Sequence, residues 1–232
     1  MNDHYQLVTL KSVPEDCMDI VTVLQKIKDG LLANDLRLLN YYNEIPVSYP
    51  AAVDYIEDDM VDLSVHQHQA AVMKVERKSI LKSRHLPHEV LANVFRANAN
   101  SSLVTLTNFA YVVVRAERRR FVRVAIKDAV GMVFTRGEQE LRGRLVDISL
   151  CGAAMVASDG GALDTQSEGD LLLELPGRAI RVQARLVKIF STKENSKYVF
   201  EFDVPAKDEP LVSQYIFQRQ VEIIRELKDQ LC

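Results

Sequence analysis

The sequence contains no tryptophan, and its three cysteines, Cys17, Cys151 and Cys232, form no CxxC pair among 232 residues. An odd number of distant thiols excludes a disulfide scaffold and a thiolate zinc site, and fits a reducing compartment. Nine glycines and seven prolines are too few for a collagen-like or low-complexity chain. Charge of one sign is missing too: Lys+Arg at 29 against Asp+Glu at 32 leaves a formal net charge of -3. That balance argues against a surface binding nucleic acid or anionic membrane through bulk positive charge. No apolar run approaches the roughly 20 residues that span a bilayer. The opening MNDHYQLVTLKSVPEDC lacks the basic segment and apolar core of a secretory leader, so a soluble cytoplasmic protein is expected.

What is present is enough to fold. Apolar residues make up 47% and charged residues 26% of the chain, and its length suits two domains better than one. The clearest helix in the first half is PEDCMDIVTVLQKIKDGLL, Pro14 to Leu32. Acidic residues open it, apolar residues recur at Met18, Val21, Val23, Leu24, Ile27 and Leu31, and Gly30 and Asn34 stop it. The runs LRLLNYY, VSYPAAVDYIE, VDLSVHQHQAAVMKV, EVLANVF and SSLVTLTNFAYVVV follow, rich in Val, Tyr, Leu and Thr. They have the texture of an antiparallel sheet or small barrel.

Residues 115–123, RAERRRFVR, then break the pattern with five arginines against Glu117, a local charge of +4 in a chain that is negative overall. Strand texture resumes in VRVAI, VGMVFTR, LRGRLVDIS, GAAMVA, DLLLELP, AIRVQARLVKIFS and KYVFEFDV. Gly137, Asp159-Gly160-Gly161, Pro176-Gly177 and Asn195 supply the turns. Six or seven short strands at near-regular spacing suggest a second barrel, and DEPLVSQYIFQRQVEIIRELKDQL closes the chain as an amphipathic helix. The expected class is mainly β, with two barrel domains over residues 1–113 and 114–232.

Two features of the second half carry chemistry. Arg118, Arg119 and Arg123, with Arg120, Phe121 and Val122 between them, form an RRxxxR pattern ahead of the first strand. Asp147, Ser149 and Gly152 form DxSxxG where a strand ends. Asp147 and Ser149 are two apart, so an extended chain turns both to one side, and Gly152 permits a positive φ or a close approach to the backbone. Arginine binds phosphate through a planar fork, reads the O6 and N7 edge of guanine, and stacks on purines. An aspartate accepts from the N1 and N2 donors of guanine's other edge. The set suits a guanine nucleotide carrying phosphate.

Together these motifs, in order and in strand context, resemble the PilZ domain, the bacterial receptor for cyclic di-GMP. The preceding domain and the closing helix resemble the two-domain YcgR type, the flagellar-brake proteins. The resemblance covers residues about 115 to 230 through motifs, and the first half by texture alone. It implies that Arg119 and Arg123 clasp guanines and phosphates. Arg118 stacks on a base, as in relatives that take a stacked pair of ligand molecules. Asp147 and Ser149 contact guanine while Gly152 makes room. KYVFEFDV departs from relatives that have a glycine in that strand. The resemblance further implies a ligand-ordered hinge that changes the interdomain arrangement, with output to a protein partner such as flagellar motor components at the basal body. Biofilm or polysaccharide outputs are equally served. No catalytic base, nucleophile, metal or cofactor is required, and the chain is expected to act as a monomer or homodimer.

Plainer readings stand beside these. Asp147 and Ser149 can cap a turn, and Phe121 and Val122 read as barrel-core residues. His66-x-His68 and His85-x-x-His88 lack the carboxylate or thiolate that would complete a tetrahedral site. A nucleic-acid-binding barrel using the RAERRRFVR arm is the alternative function. It demands aromatic stacking platforms and a basic groove, for which the second half offers few aromatics. A nucleotide-processing enzyme ranks lower, since no Walker loop or GxSxG elbow appears.

Overall fold

The computed structural model describes residues 5–115, 121–157, 163–191 and 195–229. Two compact units form, one from residues 1–42, 46–119 and 223–232, the other from residues 43–45 and 120–222. Both are antiparallel barrels of six strands, and the class is mainly β.

The first unit runs β1 (Tyr5–Leu7), α1 (Val13–Lys28), β2 (Arg37–Tyr42), β3 (Ile45–Glu57), β4 (Met60–Val65), α2 (Gln67–Glu76), β5 (Lys78–Lys82), β6 (Glu89–Asn98) and β7 (Leu103–Val114). The strand order β7-β4-β3-β2-β5-β6 closes through pairing of β6 with β7, and β1 adds to β7 outside the ring. Closure leaves no free edge among the six, which removes the usual template for aggregation.

Helix α1 starts one residue earlier than its sequence pattern and stops four earlier. Ser12 caps it as half of a capping box: its side chain accepts from the Glu15 amide and donates to Glu15 Oε2 at 2.6 Å. Gly30, at φ +73°, turns the chain out of the helix as only a residue without Cβ does easily. Ile20, Leu24 and Ile27 form the buried stripe, spaced four and three apart. Met18 and Leu31, also counted in the apolar pattern, are 71% and 73% exposed. The carboxylate of Asp16 is buried, where it accepts from the amides of Leu10 at 2.9 Å and Lys11 at 3.1 Å.

The run VDLSVHQHQAAVMKV is only half a strand. β4 ends at Val65, and Gln67–Glu76 coil into α2, which buries Ala70, Ala71, Val72 and Met73. Alanine, glutamine, methionine and lysine are good helix formers, and this composition overrides the strand texture of the valines. His66 caps the start by accepting from the His68 amide at 3.2 Å, and Arg77 ends it in the left-handed region at φ +59°. The short β5 is the one strand of this barrel that its sequence pattern does not pick out.

The second unit contains β8 (Val124–Ala125), β9 (Gly131–Arg136), β10 (Gln139–Ser149), β11 (Gly152–Ala157), β12 (Glu168–Leu175), β13 (Arg178–Ser191) and β14 (Ser196–Phe202). α3 (Glu209–Asp229) closes the chain. The order β11-β14-β13-β12-β9-β10 closes through β10–β11, with β8 laid on β10. Period-two burial builds the interior: Leu171, Leu173 and Leu175 from β12 and Ile180, Val182, Ala184 and Leu186 from β13. Phe134 and Phe200 meet at its centre with ring centroids 4.8 Å apart. On α3, Arg219 Nε donates to the Ala125 carbonyl at 3.0 Å. The buried apolar positions of this helix are Val212, Ile216, Ile223 and Leu227, whereas Ile224 is 46% exposed. No described helix is long and apolar enough to cross a membrane.

Candidate functional site

The strand β10 does not alternate regularly to its end. Leu145 and Ile148 are both fully buried though three residues apart, and the register against β11 shifts between Leu145 and Asp147. A bulge of this kind re-aims the side chains after it. Ile148 then faces the core, while Asp147 and Ser149 share the opposite face. The resulting strand end pairs Ser149 with Gly152 across a turn made by Leu150 and Cys151.

Ser149 and Asp147 are held in different ways. The Ser149 hydroxyl donates to the Gly152 carbonyl at 3.2 Å, a turn-closing bond. Asp147 makes no such bond. Its side chain is only 5% exposed, and two cations face it: Lys197 Nζ lies 2.9 Å from Oδ2, and Arg123 Nε lies 3.4 Å from Oδ1. Arg123 Nε and Asp147 Oδ1 are too poorly aligned to hydrogen-bond, so both atoms are buried without a hydrogen-bond partner among the described residues. A carboxylate oxygen in that condition costs free energy, and a donor delivered to it recovers the cost.

Each flanking cation is placed by strand pairing. Ala125 and Val124 of β8 pair with Asp147 and Ile148, which brings the preceding Arg123 alongside the strand end. Lys197 sits on β14 opposite Val156 of β11, and Asp147 is opposite Ala154 on the other side of β11. The lysine stem therefore crosses one strand to reach the carboxylate. Lys197 lies 50 residues from Asp147, and no local signal marks it; only the β11–β14 register brings it in.

Gly152 is not in the left-handed region. Its missing Cβ accommodates β14: a Cβ there would stand 2.6 Å from the Phe200 carbonyl oxygen. The close approach that this glycine allows is therefore by a neighbouring strand. Phe121 and Val122 are not core residues. Val122 is 46% exposed, and Phe121 lines a surface groove, because both precede the two-residue β8 and escape its alternation. That groove, of about 660 Å³, also takes in Cys151, Gln183, Arg185 and Glu201, so it abuts the Asp147 strand end. Arg185 and Glu201 face each other across β13 and β14 at 2.6 Å. Arg118, Arg119 and the turn Asp159-Gly160-Gly161 lie outside the described residues.

The histidine pairs belong to packing. Tyr49 stacks on His66 with centroids 4.0 Å apart, and its hydroxyl lies 3.3 Å from His68 Nδ1. His85 Nε2 lies 3.0 Å from the Ala33 carbonyl, and His88 meets Tyr111 edge-on. Among the described residues no cluster of three or more His, Cys, Asp or Glu could hold a metal ion.

The strand end of the second barrel thus presents a buried carboxylate between two cations. Residues 117–218 match the family model described as the PilZ domain. The solved structure of YcgR in complex with c-di-GMP from Escherichia coli is 15% identical, with a TM-score of 0.47, covering 96% of this chain and 100% of that one. The Bacillus subtilis inhibitor of motility MotI/DgrA is 18% identical at a TM-score of 0.42, covering 82% of this chain and 97% of that one. The Klebsiella pneumoniae MrkH–c-di-GMP complex is 13% identical at a TM-score of 0.47, covering 96% and 99% respectively. No curated protein matches the chain.

Proposed function

We propose that this protein is a cyclic di-GMP receptor, with residues 1–113 as a YcgR-like effector domain and residues 114–232 as the ligand domain. The observation that carries the reading is the buried Asp147 carboxylate, with Oδ1 accepting no hydrogen bond, inside the segment that matches the PilZ domain. Guanine presents two parallel donors, N1–H and N2–H, and a carboxylate is their natural bidentate acceptor. Arg123 supplies positive charge beside it, and the arm of residues 115–123 adds more in the sequence. In this reading Arg119 clasps guanine and phosphate, Arg118 stacks on a purine face, and Ser149 and Gly152 hold the hairpin that carries Asp147.

The ligand is a dianion, and before it binds, the arginines of the arm repel one another. Binding neutralises them and changes the interdomain arrangement by population shift. The output is a surface for a protein partner, with control of flagellar motility as the process. The protein acts in the cytoplasm, and no chemical step is catalysed.

Calorimetric titration with cyclic di-GMP tests this directly. The wild type is expected to bind, and Asp147→Ala or Arg119→Ala to weaken binding by roughly tenfold to a hundredfold, the worth of one charge-assisted hydrogen bond. A folded wild type that takes up no ligand at tens of micromolar would overturn the proposal. Small-angle scattering with and without ligand reads the interdomain change separately.

A further inference from the structure

Asp147 is already engaged. Its Oδ2 holds the Lys197 ammonium at 2.9 Å, while guanine needs both carboxylate oxygens to satisfy two parallel donors. Ammonium and guanine edge are both donors, so they compete for the same oxygen. Arg123 does not compete in the same way, because its Nε makes no hydrogen bond to Oδ1 and its side chain is only 19% exposed. Lys197 is the mobile member: its side chain is 39% exposed, and its four-carbon stem gives it many rotamers toward solvent. The pair it makes is the weak kind, half in water and screened by salt.

We infer that Lys197 is an internal competitor for the ligand carboxylate, a latch that occupies Asp147 Oδ2 in the free protein and swings to solvent when the guanine edge arrives. This rests on the cyclic di-GMP reading and adds to it a residue that sets the ligand threshold. The latch keeps a buried carboxylate paired when no ligand is present, which limits the cost of an uncompensated buried charge. Its release subtracts from the affinity by the strength of the ion pair. The residue is thus a tuning point: its removal sharpens the response without touching a ligand contact, and a stronger cation at the same place blunts it.

The test compares wild type, Lys197→Met, Lys197→Gln and Lys197→Arg by calorimetric titration with cyclic di-GMP, after melting curves show each folded. Methionine keeps the apolar stem and removes the charge; glutamine guards against an effect of the thioether. Both are expected to bind about threefold to tenfold more tightly, the range that a half-exposed ion pair supports. Arginine, which grips a carboxylate bidentately, is expected to bind more weakly than wild type. A second readout needs no ligand: the side-chain Nζ resonance of the Lys197 ammonium in the free wild type should shift when Asp147→Asn removes the partner charge. Unchanged or weaker binding by the methionine and glutamine variants, with wild type binding normally, overturns the latch and leaves the receptor reading intact. So does an ammonium resonance indifferent to Asp147→Asn. Failure of every variant and the wild type to bind cyclic di-GMP removes the receptor reading, and the latch with it.

Discussion

The two barrels share a strand count and differ in what they do with buried polar groups. In the first, Asn40 is the hub: its Oδ1 accepts from Gln69 Nε2 and Ser79 Oγ, each at 2.7 Å, and its Nδ2 donates to the Lys78 carbonyl at 2.6 Å. All three side chains are neutral and buried, and together they tie α2 to β2 and β5. In the second, the hub is charged. Asp147 faces two cations, one of them substantially exposed, at a strand end beside an open groove. A neutral network specifies packing even though Gln69 Oε1 in it is buried without a hydrogen-bond partner among the described residues, whereas a charged cluster with one solvent-facing member can exchange partners. On the receptor reading proposed above, the contrast separates an element that holds its geometry from one that receives a ligand.

The largest effect that bears on this contrast is in the core of the second barrel. Phe200 is 1% exposed against Phe134, and Phe200→Ala is expected to cost about 3–5 kcal/mol in chemical denaturation, with ligand uptake lost as β14 loosens. Asn40→Ala comes next. It strands Gln69 Nε2 and Ser79 Oγ in the first barrel and is expected to cost about 2–3 kcal/mol of stability. Cyclic di-GMP affinity should stay within about twofold of wild type, as expected for a site without shared partners. Asn40→Ala and Asp147→Ala therefore form a crossed pair, one moving stability and the other affinity. If Asn40→Ala weakens ligand binding as strongly as Asp147→Ala, the division between a structural network and a receptive one collapses.

The strands of the second barrel were legible because each has its own period-two pattern and its own turn residues, from Gly137 to Pro176-Gly177. The motif DxSxxG was legible for the same reason, being local. Three things were not. Helix α2 hides in a valine-containing run because its burial of Ala70 and Met73 is decided by the barrel it packs on. Burial of Phe121 and Val122 was misread because a strand of two residues imposes no alternation on what precedes it. Lys197 was invisible because its role depends on a register across β11, a fact of pairing between segments far apart in the chain. The bulge between Leu145 and Asp147 explains why Leu145 and Ile148, three apart in sequence, are both buried in the core, which leaves Asp147 on the opposite face.

The smallest effect concerns pH, and it returns to the first barrel. His68 is held below the ordinary histidine range chiefly by burial, and further by the neighbouring His66 and by Lys228. A depressed value means that the folded state prefers the neutral ring, so the unfolded chain binds the proton more readily. The stability that this ring contributes is complete above about pH 6.5, the unfolded value, and is lost as pH falls through the lower folded one. Melting curves from pH 7.5 to pH 5 should show the first barrel weakening in that window, and His68→Gln should flatten the dependence while keeping a polar group beside the Tyr49 hydroxyl. His66, stacked on Tyr49, serves as the control position: if His66→Gln flattens the curve and His68→Gln does not, burial of His68 is not the cause of the pH dependence.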